Sequence, residues 1–252
     1  MNPIDELRTE GYVVLNGLAD AAGLGRLRAV VAGLEAAAAE MTRSTDDFVL
    51  EAEGVGGWVA WQQGTAAVPG TLRSVSRVHV HRPELVRIAA DLGLPGKHVE
   101  PAVGTPVELI NTFLWAKPAR VGSEKPWHQD MAFAPDGFTD RHGNVVTVWV
   151  AIDPATRENG CLEFYPGSHR GGLLPHVGDE ERTGDGPRLE RPVEPHIDAA
   201  ALPADSTPVR VPLAPGSAVM FDGRIVHRSA PNSAGTPRRA ISFVYALPRD
   251  GN

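Results

Sequence analysis

The spacing of hydrophobic positions changes period near residue 100. Before that point, helical spacing dominates. IDELRTE at 4–10 reads as a short polar helix stopped by Gly11, YVVL at 12–15 as a β-rich run, and Asp20 as the cap of an Ala/Leu/Val-periodic helix reaching about Glu40. Residues 42–75 are mixed and Gly-rich, with Trp58 and Trp61 as the expected packing anchors. PELVRIAADLG at 83–93 has Pro at its start, apolar residues at helical spacing and Gly at its end, which predicts a second helix.

From residue 106 the period shortens. VELINTFLWA, WHQDMAF, VVTVWVAI, CLEFY, VRVPL, SAVMF, RIVH and ISFVYAL are short β-rich runs separated by Pro and Gly signals, a pattern that predicts a sandwich or barrel. VVTVWVAI is nearly continuously apolar, as a strand buried on both faces must be, so helices of the N-terminal half are expected to cover one sheet. The expected fold class is mainly β with flanking α. A single domain spans 1–252, with a helical flank over 1–100 and a β core over 101–252. Residues 170–207 form a long Pro-, Gly- and charge-rich connection with little periodicity, read as a lid-like insertion.

Composition narrows the function. The 252 residues are 42% hydrophobic, enough for a sizeable core, and no apolar run approaches eighteen residues, so no membrane association is expected. The N-terminus, MNPIDELRTEG, carries early acids and no apolar segment of the kind a secretory leader needs. With one cysteine, Cys161, no internal disulfide is available, and the expected compartment is the cytoplasm. A net charge of -7 lacks the basic footprint of nucleic-acid binding. A small-molecule substrate is the expected partner, and oligomeric state is not readable.

The chemistry centres on WHQD. On a strand, His128 and Asp130 face the same way while Gln129 faces the other, and two residues of rise separate their backbones by roughly 6.6 Å. Their side chains can converge on one ion. His227 in RIVHRS, just after PGSAVMFDG, is the candidate third ligand, and two His with one carboxylate make the facial triad of non-haem Fe(II) oxygenases, with coordination positions left open. A keto acid such as 2-oxoglutarate would chelate there and need a rigid bidentate donor for its far carboxylate, which favours Arg over Lys. Arg238, eleven residues after His227 in TPRRAISFVYA, is that candidate, and Arg239 is expected to face away.

The order WHQD, then ENGCLEFYPGSHR, then PGSAVMFDGRIVHRSAPNSAGTPRRAISFVYA resembles the phytanoyl-CoA dioxygenase family of Fe(II)/2-oxoglutarate-dependent oxygenases. The likeness includes GYVVLNGLAD, covers most of the chain, and is weaker at 41–100 and 170–207. It implies a double-stranded β-helix, the jelly roll of cupin-like proteins. It also implies Fe(II), 2-oxoglutarate and O2 as cofactors, with ascorbate as an in vitro aid. By the same resemblance His128, Asp130 and His227 are iron ligands, Arg238 anchors 2-oxoglutarate, and Ser229 and Asn111 match positions that help hold the co-substrate. Asp130 stands where related halogenases carry a small residue, which favours hydroxylation of a small or medium organic metabolite with release of succinate and CO2. Bacterial natural-product biosynthesis is the expected setting; epimerisation, desaturation and cyclisation with the same cofactors stay open.

Other polar and aromatic residues have plainer roles. Trp127, Gln129, Phe133 and Trp149 are the candidates for a substrate pocket, although core filling is the default for an aromatic on a strand. His79 and His81 in RVHVHRP would share a face if that segment were a strand, but with no carboxylate and arginine to match they read as surface or packing residues. His169 reads as holding the turn after CLEFYPGS, and Cys161 as a small buried hydrophobe. Lys117, Lys125, Arg141 and His142 are either anion-recognising groups or solvated charges. Two other function classes compete: a zinc hydrolase, disfavoured because HExxH is absent and Arg238 has no hydrolytic task, and a non-catalytic cupin-like binding protein, which has no need of open metal positions.

Overall fold

The computed structural model describes residues 3–52, 67–135, 137–177 and 196–248. The N-terminal part contains α1 (Pro3–Glu10), β1 (Tyr12–Leu15), α2 (Ala21–Ala38), β2 (Phe48–Ala52), β3 (Ala67–Ser76), α3 (Val78–His81), α4 (Glu84–Asp91) and α5 (Glu100–Val103). Then come β4 (Glu108–Lys117), β5 (Lys125–His128), α6 (Phe138–Arg141), β6 (His142–Ala151) and β7 (Leu162–Phe164). The chain continues through β8 (His176–Val177), β9 (His196–Ile197), β10 (Val209–Val211), β11 (Ala218–Asp222), β12 (His227–Ser229) and β13 (Arg238–Pro248).

Two antiparallel sheets face each other as a jelly roll. The larger runs β1-β11-β6-β13-β4-β3-β2 and the smaller β10-β7-β12-β5. Between them lies a core of Trp149, Ala151, Phe164, Val219, Phe221 and Ala240 with their neighbours. On the outer face of the large sheet, Val146, Val148, Val150, Met220, Ile241 and Phe243 pack against Leu27, Val31 and Leu34 of α2 and Leu85 and Ile88 of α4. β6 therefore alternates between two buried faces, which explains its unbroken apolar run. Among the described residues no helix is long and apolar enough to cross a membrane.

Local signals set the helix ends. The Asp20 carboxylate accepts a hydrogen bond from Gly23 N at 2.7 Å and caps α2. Gly11 takes a left-handed φ of 84° after α1, and a Cβ there would come within 2.5 Å of His169 Nδ1. His169 in turn bonds the Arg8 carbonyl through Nε2 at 3.1 Å, tying the turn after β7 to α1. Arg239 leaves the sheet on the helix side, bonding Asp153 at 2.7 and 2.9 Å and Glu35 of α2 at 3.0 Å.

The first hundred residues are more than a helical flank. β1 pairs with β11 and β3 with β4, so the N-terminal part widens the large sheet with three strands. RVHVHRP is not a strand: Arg77 turns into the left-handed region at φ 51° and Val78–His81 form one helical turn. Asp47 gathers this corner, accepting from Ser76 Oγ, both Arg77 nitrogens and His81 Nε2 at 2.7–2.9 Å. Trp58 and Trp61 lie outside the described residues, as does 178–195 within the lid-like connection. The ends of that connection meet as the β8–β9 pair, with His176 opposite Ile197.

Asp20→Ala is expected to cost about 1 kcal/mol of stability through the lost cap, and Phe243→Ala about 3–5 kcal/mol through the cavity it opens; denaturant unfolding measures both. Burial pushes the Asp47 carboxyl up, but the hydrogen bonds from Arg77, His81 and Ser76 outweigh it and hold the group at about 2. A depressed folded-state pKa stabilises above the unfolded value and loses that contribution as pH falls through the folded one. Stability is expected to decline between about pH 4 and pH 2, and Asp47→Asn to flatten that limb in acid-denaturation curves.

Candidate metal centre

β5 and β12 are neighbours in the small sheet, antiparallel, with His227 opposite His128. Their rings stand 4.1 Å apart, centroid to centroid. His128 Nδ1 lies 2.6 Å from the Pro126 carbonyl and His227 Nδ1 3.0 Å from the Ile225 carbonyl. A carbonyl only accepts, so each Nδ1 carries the proton and each Nε2 keeps its lone pair.

Those two Nε2 atoms face Asp130 Oδ1, each at 3.5 Å. Asp130 is not on the strand as its spacing suggests. β5 ends at His128, Gln129 stays extended, and Asp130 opens a 3-10 turn over Asp130–Phe133. That turn is pinned by Met131 N donating to the Gly223 carbonyl at 2.9 Å, so the carboxylate folds back beneath the histidines. Thr147 Oγ1 on β6 donates to Asp130 Oδ2 at 2.8 Å and leaves Oδ1 to the histidine side. One ligand atom from each of His128, Asp130 and His227 falls within 4.8 Å of the others.

Burial sets the protonation states. Desolvation lowers the His128 pKa to about 3, helped by the neighbouring His227, and lowers that of His227. For Asp130 burial acts upward, but His227, His128 and the Thr147 hydrogen bond prevail and hold it well below the usual carboxylate range. Two neutral imidazoles and one carboxylate are the ligand forms a divalent cation requires. Phe221 and Phe164 wall off His227 at 4.8 and 5.7 Å.

The three side chains open on a cavity of about 240 Å³ between the sheets. Arg238 borders it at the start of β13, opposite Lys117 on β4. It is 2% exposed, its Nε has no hydrogen-bond partner among the described residues, and its guanidinium lies 5.2 Å from the Trp149 ring. Desolvation lowers its pKa to about 10, which leaves it charged at neutral pH. A buried, incompletely satisfied guanidinium beside a divalent-ion ligand set fits the carboxylate of a chelating keto acid. Ser229 borders the same end, its carbonyl accepting from Lys117 Nζ at 3.3 Å. Asn111 borders the cavity further along β4.

Of the four pocket candidates, Phe133 and Trp149 line the cavity. Trp127 does not: it alternates to the outer face of the small sheet, packing on Tyr165 at 4.8 Å and under the Arg228 guanidinium at 4.6 Å. Gln129 does not either. Fully buried, it donates through Nε2 to the Gly172 and Arg224 carbonyls and accepts from Leu174 N, so it braces the chain leading to β8. Sequence reasoning left Lys117 undecided and missed Thr147. Lys117 is buried rather than solvated: it also donates to the Ser123 carbonyl, and desolvation drives its pKa well down. Thr147 carried no local signal beyond being the one hydroxyl in an apolar strand.

A family model described as phytanoyl-CoA dioxygenase (PhyH) matches residues 7–240. Phytanoyl-CoA dioxygenase domain-containing protein 1 of Danio rerio is 36% identical over 138 residues, covering 55% of this chain and 44% of that protein. This chain spans about half the length of the curated relatives it matches. EvdO2 from Micromonospora carbonacea var. aurantiaca, solved in complex with 2-oxoglutarate, is 26% identical with a TM-score of 0.65, over 97% of this chain and 89% of that one. SnoN, a non-heme α-ketoglutarate-dependent epimerase from nogalamycin biosynthesis, shares the fold at 24% identity and a TM-score of 0.66, over 97% of this chain and 82% of that one. With the match running from α1 into β13, the chain belongs to the phytanoyl-CoA dioxygenase family.

Proposed function

We propose that this protein is an Fe(II)- and 2-oxoglutarate-dependent oxygenase that oxidises a small organic molecule. The observation that carries the reading is the convergence of two proton-fixed histidines and one carboxylate on a cavity that also holds a buried, partly unsatisfied arginine. His128, Asp130 and His227 would hold the iron; Arg238, with Ser229 beside it, would hold the far carboxylate of 2-oxoglutarate. Bound together, these cofactors supply oxidation of a C–H bond by O2, with 2-oxoglutarate converted to succinate and CO2.

The protein's own part is placement and exclusion. The Pro126 and Ile225 carbonyls hold each imidazole in its ligand tautomer, and Thr147 holds Asp130 to one free oxygen. Arg238 keeps its charge in a setting of low polarity, where an ion pair is stronger than in water. Phe164 and Phe221 keep water from the back of His227.

Hydroxylation is the outcome we favour, because Asp130 fills the ligand position that related halogenases leave to a small residue. A fold that also serves the epimerase SnoN does not dictate the outcome.

His128→Ala and Asp130→Ala are each expected to reduce Fe(II)-dependent succinate formation from 2-oxoglutarate to background, and chelation to do the same reversibly, with Fe(II) but not Zn(II) restoring turnover. Succinate release that survives either substitution would exclude the triad. Arg238→Ala is expected to raise the KM for 2-oxoglutarate about 10- to 100-fold, the loss of charge-assisted hydrogen bonds, in steady-state assays with the metal saturating; an unchanged KM would place the anchor elsewhere.

A further inference from the structure

The cavity is polarised along its length. At one end Lys117 stands opposite Arg238; six positions along β4, Asn111 stands opposite Val244, which in turn pairs with Thr147. Six positions of strand are roughly 20 Å. Asn111 is therefore remote from the arginine and level with the residue that holds Asp130. The wall here is apolar, a cluster in which Met131, Val145 and Val244 pack with Ile110, Phe113 and Phe138.

Within that wall Asn111 is oriented. Its Oδ1 accepts from Thr112 N at 2.8 Å and Arg77 N at 3.2 Å. Both partners are backbone N–H donors, so the atom between them must be the oxygen and the amide nitrogen must lie on the other side. Arg77 reaches that position in a left-handed conformation, φ 51°, uncommon for a residue with a side chain. No hydrogen bond from Asn111 Nδ2 occurs among the described residues, and the residue borders the cavity.

We propose that Asn111 is a substrate-recognising residue: its Nδ2 donates to a carbonyl, ether or hydroxyl oxygen on a neutral and otherwise apolar ring or branched chain, seated among Ile110, Phe113, Met131, Phe138, Val145 and Val244. This rests on the oxygenase reading and assigns the substrate to the end of the cavity away from Arg238. It moves Asn111 from the co-substrate, where family resemblance puts it, to the substrate. A site that commits a donor in an apolar wall discriminates against analogues lacking the acceptor.

The test is binding to anaerobic protein loaded with Fe(II) and 2-oxoglutarate, read by ligand-observed NMR titration. The probes are cyclohexanone and methylenecyclohexane, in which a CH2 group replaces the carbonyl oxygen. The ratio of the methylenecyclohexane Kd to the cyclohexanone Kd is expected to be about five- to tenfold larger for wild-type protein than for protein lacking the donor, a ketone preference the size of one neutral hydrogen bond. Asn111→Asp keeps the oxygen for Thr112 N and Arg77 N but removes the donor, and is expected to abolish the preference. Asn111→Leu, as a second variant, is expected to do the same. The Kd for 2-oxoglutarate, measured by calorimetry, is expected to stay within about twofold, the size of an effect well below one such bond. An equal ketone preference in the variants, no binding of either ring to wild type, or a tenfold weaker 2-oxoglutarate Kd in Asn111→Asp would each overturn the assignment. Failure of wild-type protein to bind 2-oxoglutarate at all would instead remove the oxygenase reading beneath it.

Discussion

The register of β12 on β5 is the constraint on which the site depends. Only with His227 opposite His128 do both rings enter the space between the sheets, and a slip of one residue would send either ring to the outer face. The outer face has its own lock on the same register. Trp127, Arg228 and the buried Glu163 alternate with the histidines, Arg228 lying over Trp127 at 4.6 Å and bonding Glu163 at 3.2 Å. The pairing that carries the ligands is thus held from both sides, which is how two short strands of four and three residues can place ring nitrogens firmly.

Polarity along the cavity follows from strand alternation in the large sheet. Inward positions of β4 run Asn111, Phe113, Trp115, Lys117, from apolar surroundings to the end where Arg238 carries its charge. β13 runs antiparallel, so Arg238 meets Lys117 and Val244 meets Asn111. Charge is concentrated where a dicarboxylate would lie and absent from the cluster at the other end. Lys117 shows how strongly burial shapes this region: its Nζ donates to the carbonyls of Ser123 and Ser229, and desolvation favours its neutral form.

The N-terminal part does more than cover the sheet. α2 and α4 bury the second face of β6, β13 and β11, so these strands are held on two sides and the cavity wall is rigid. Arg239, next to Arg238, closes onto Asp153 and Glu35 and fixes which of the two arginines turns inward. At the opposite end Asp47 orders Arg77, whose backbone N–H holds Asn111. Both ends of the cavity are thus set by contacts that cross from the helical part into the β core.

Much of this was legible in the residues alone. Helix periodicity, the Asp20 cap, the Gly stops and the doubly buried β6 depend on spacing that operates within a few residues, and the His/Asp/His set, with His227 ninety-nine positions after His128, was legible from residue type and the motifs around it. The structure alone decided the departure of Asp130 from the strand, since a pairing between Met131 N and Gly223 O, ninety-two positions apart in the chain, makes that turn. It also decided the outward side of Trp127, the bracing by Gln129, the burial of Lys117 and the helical turn of RVHVHRP. Sequence determined which chemical groups were available and how they alternate; tertiary structure decided which of them share one desolvated space, because long-range pairing and packing, unlike periodicity, leave no local trace.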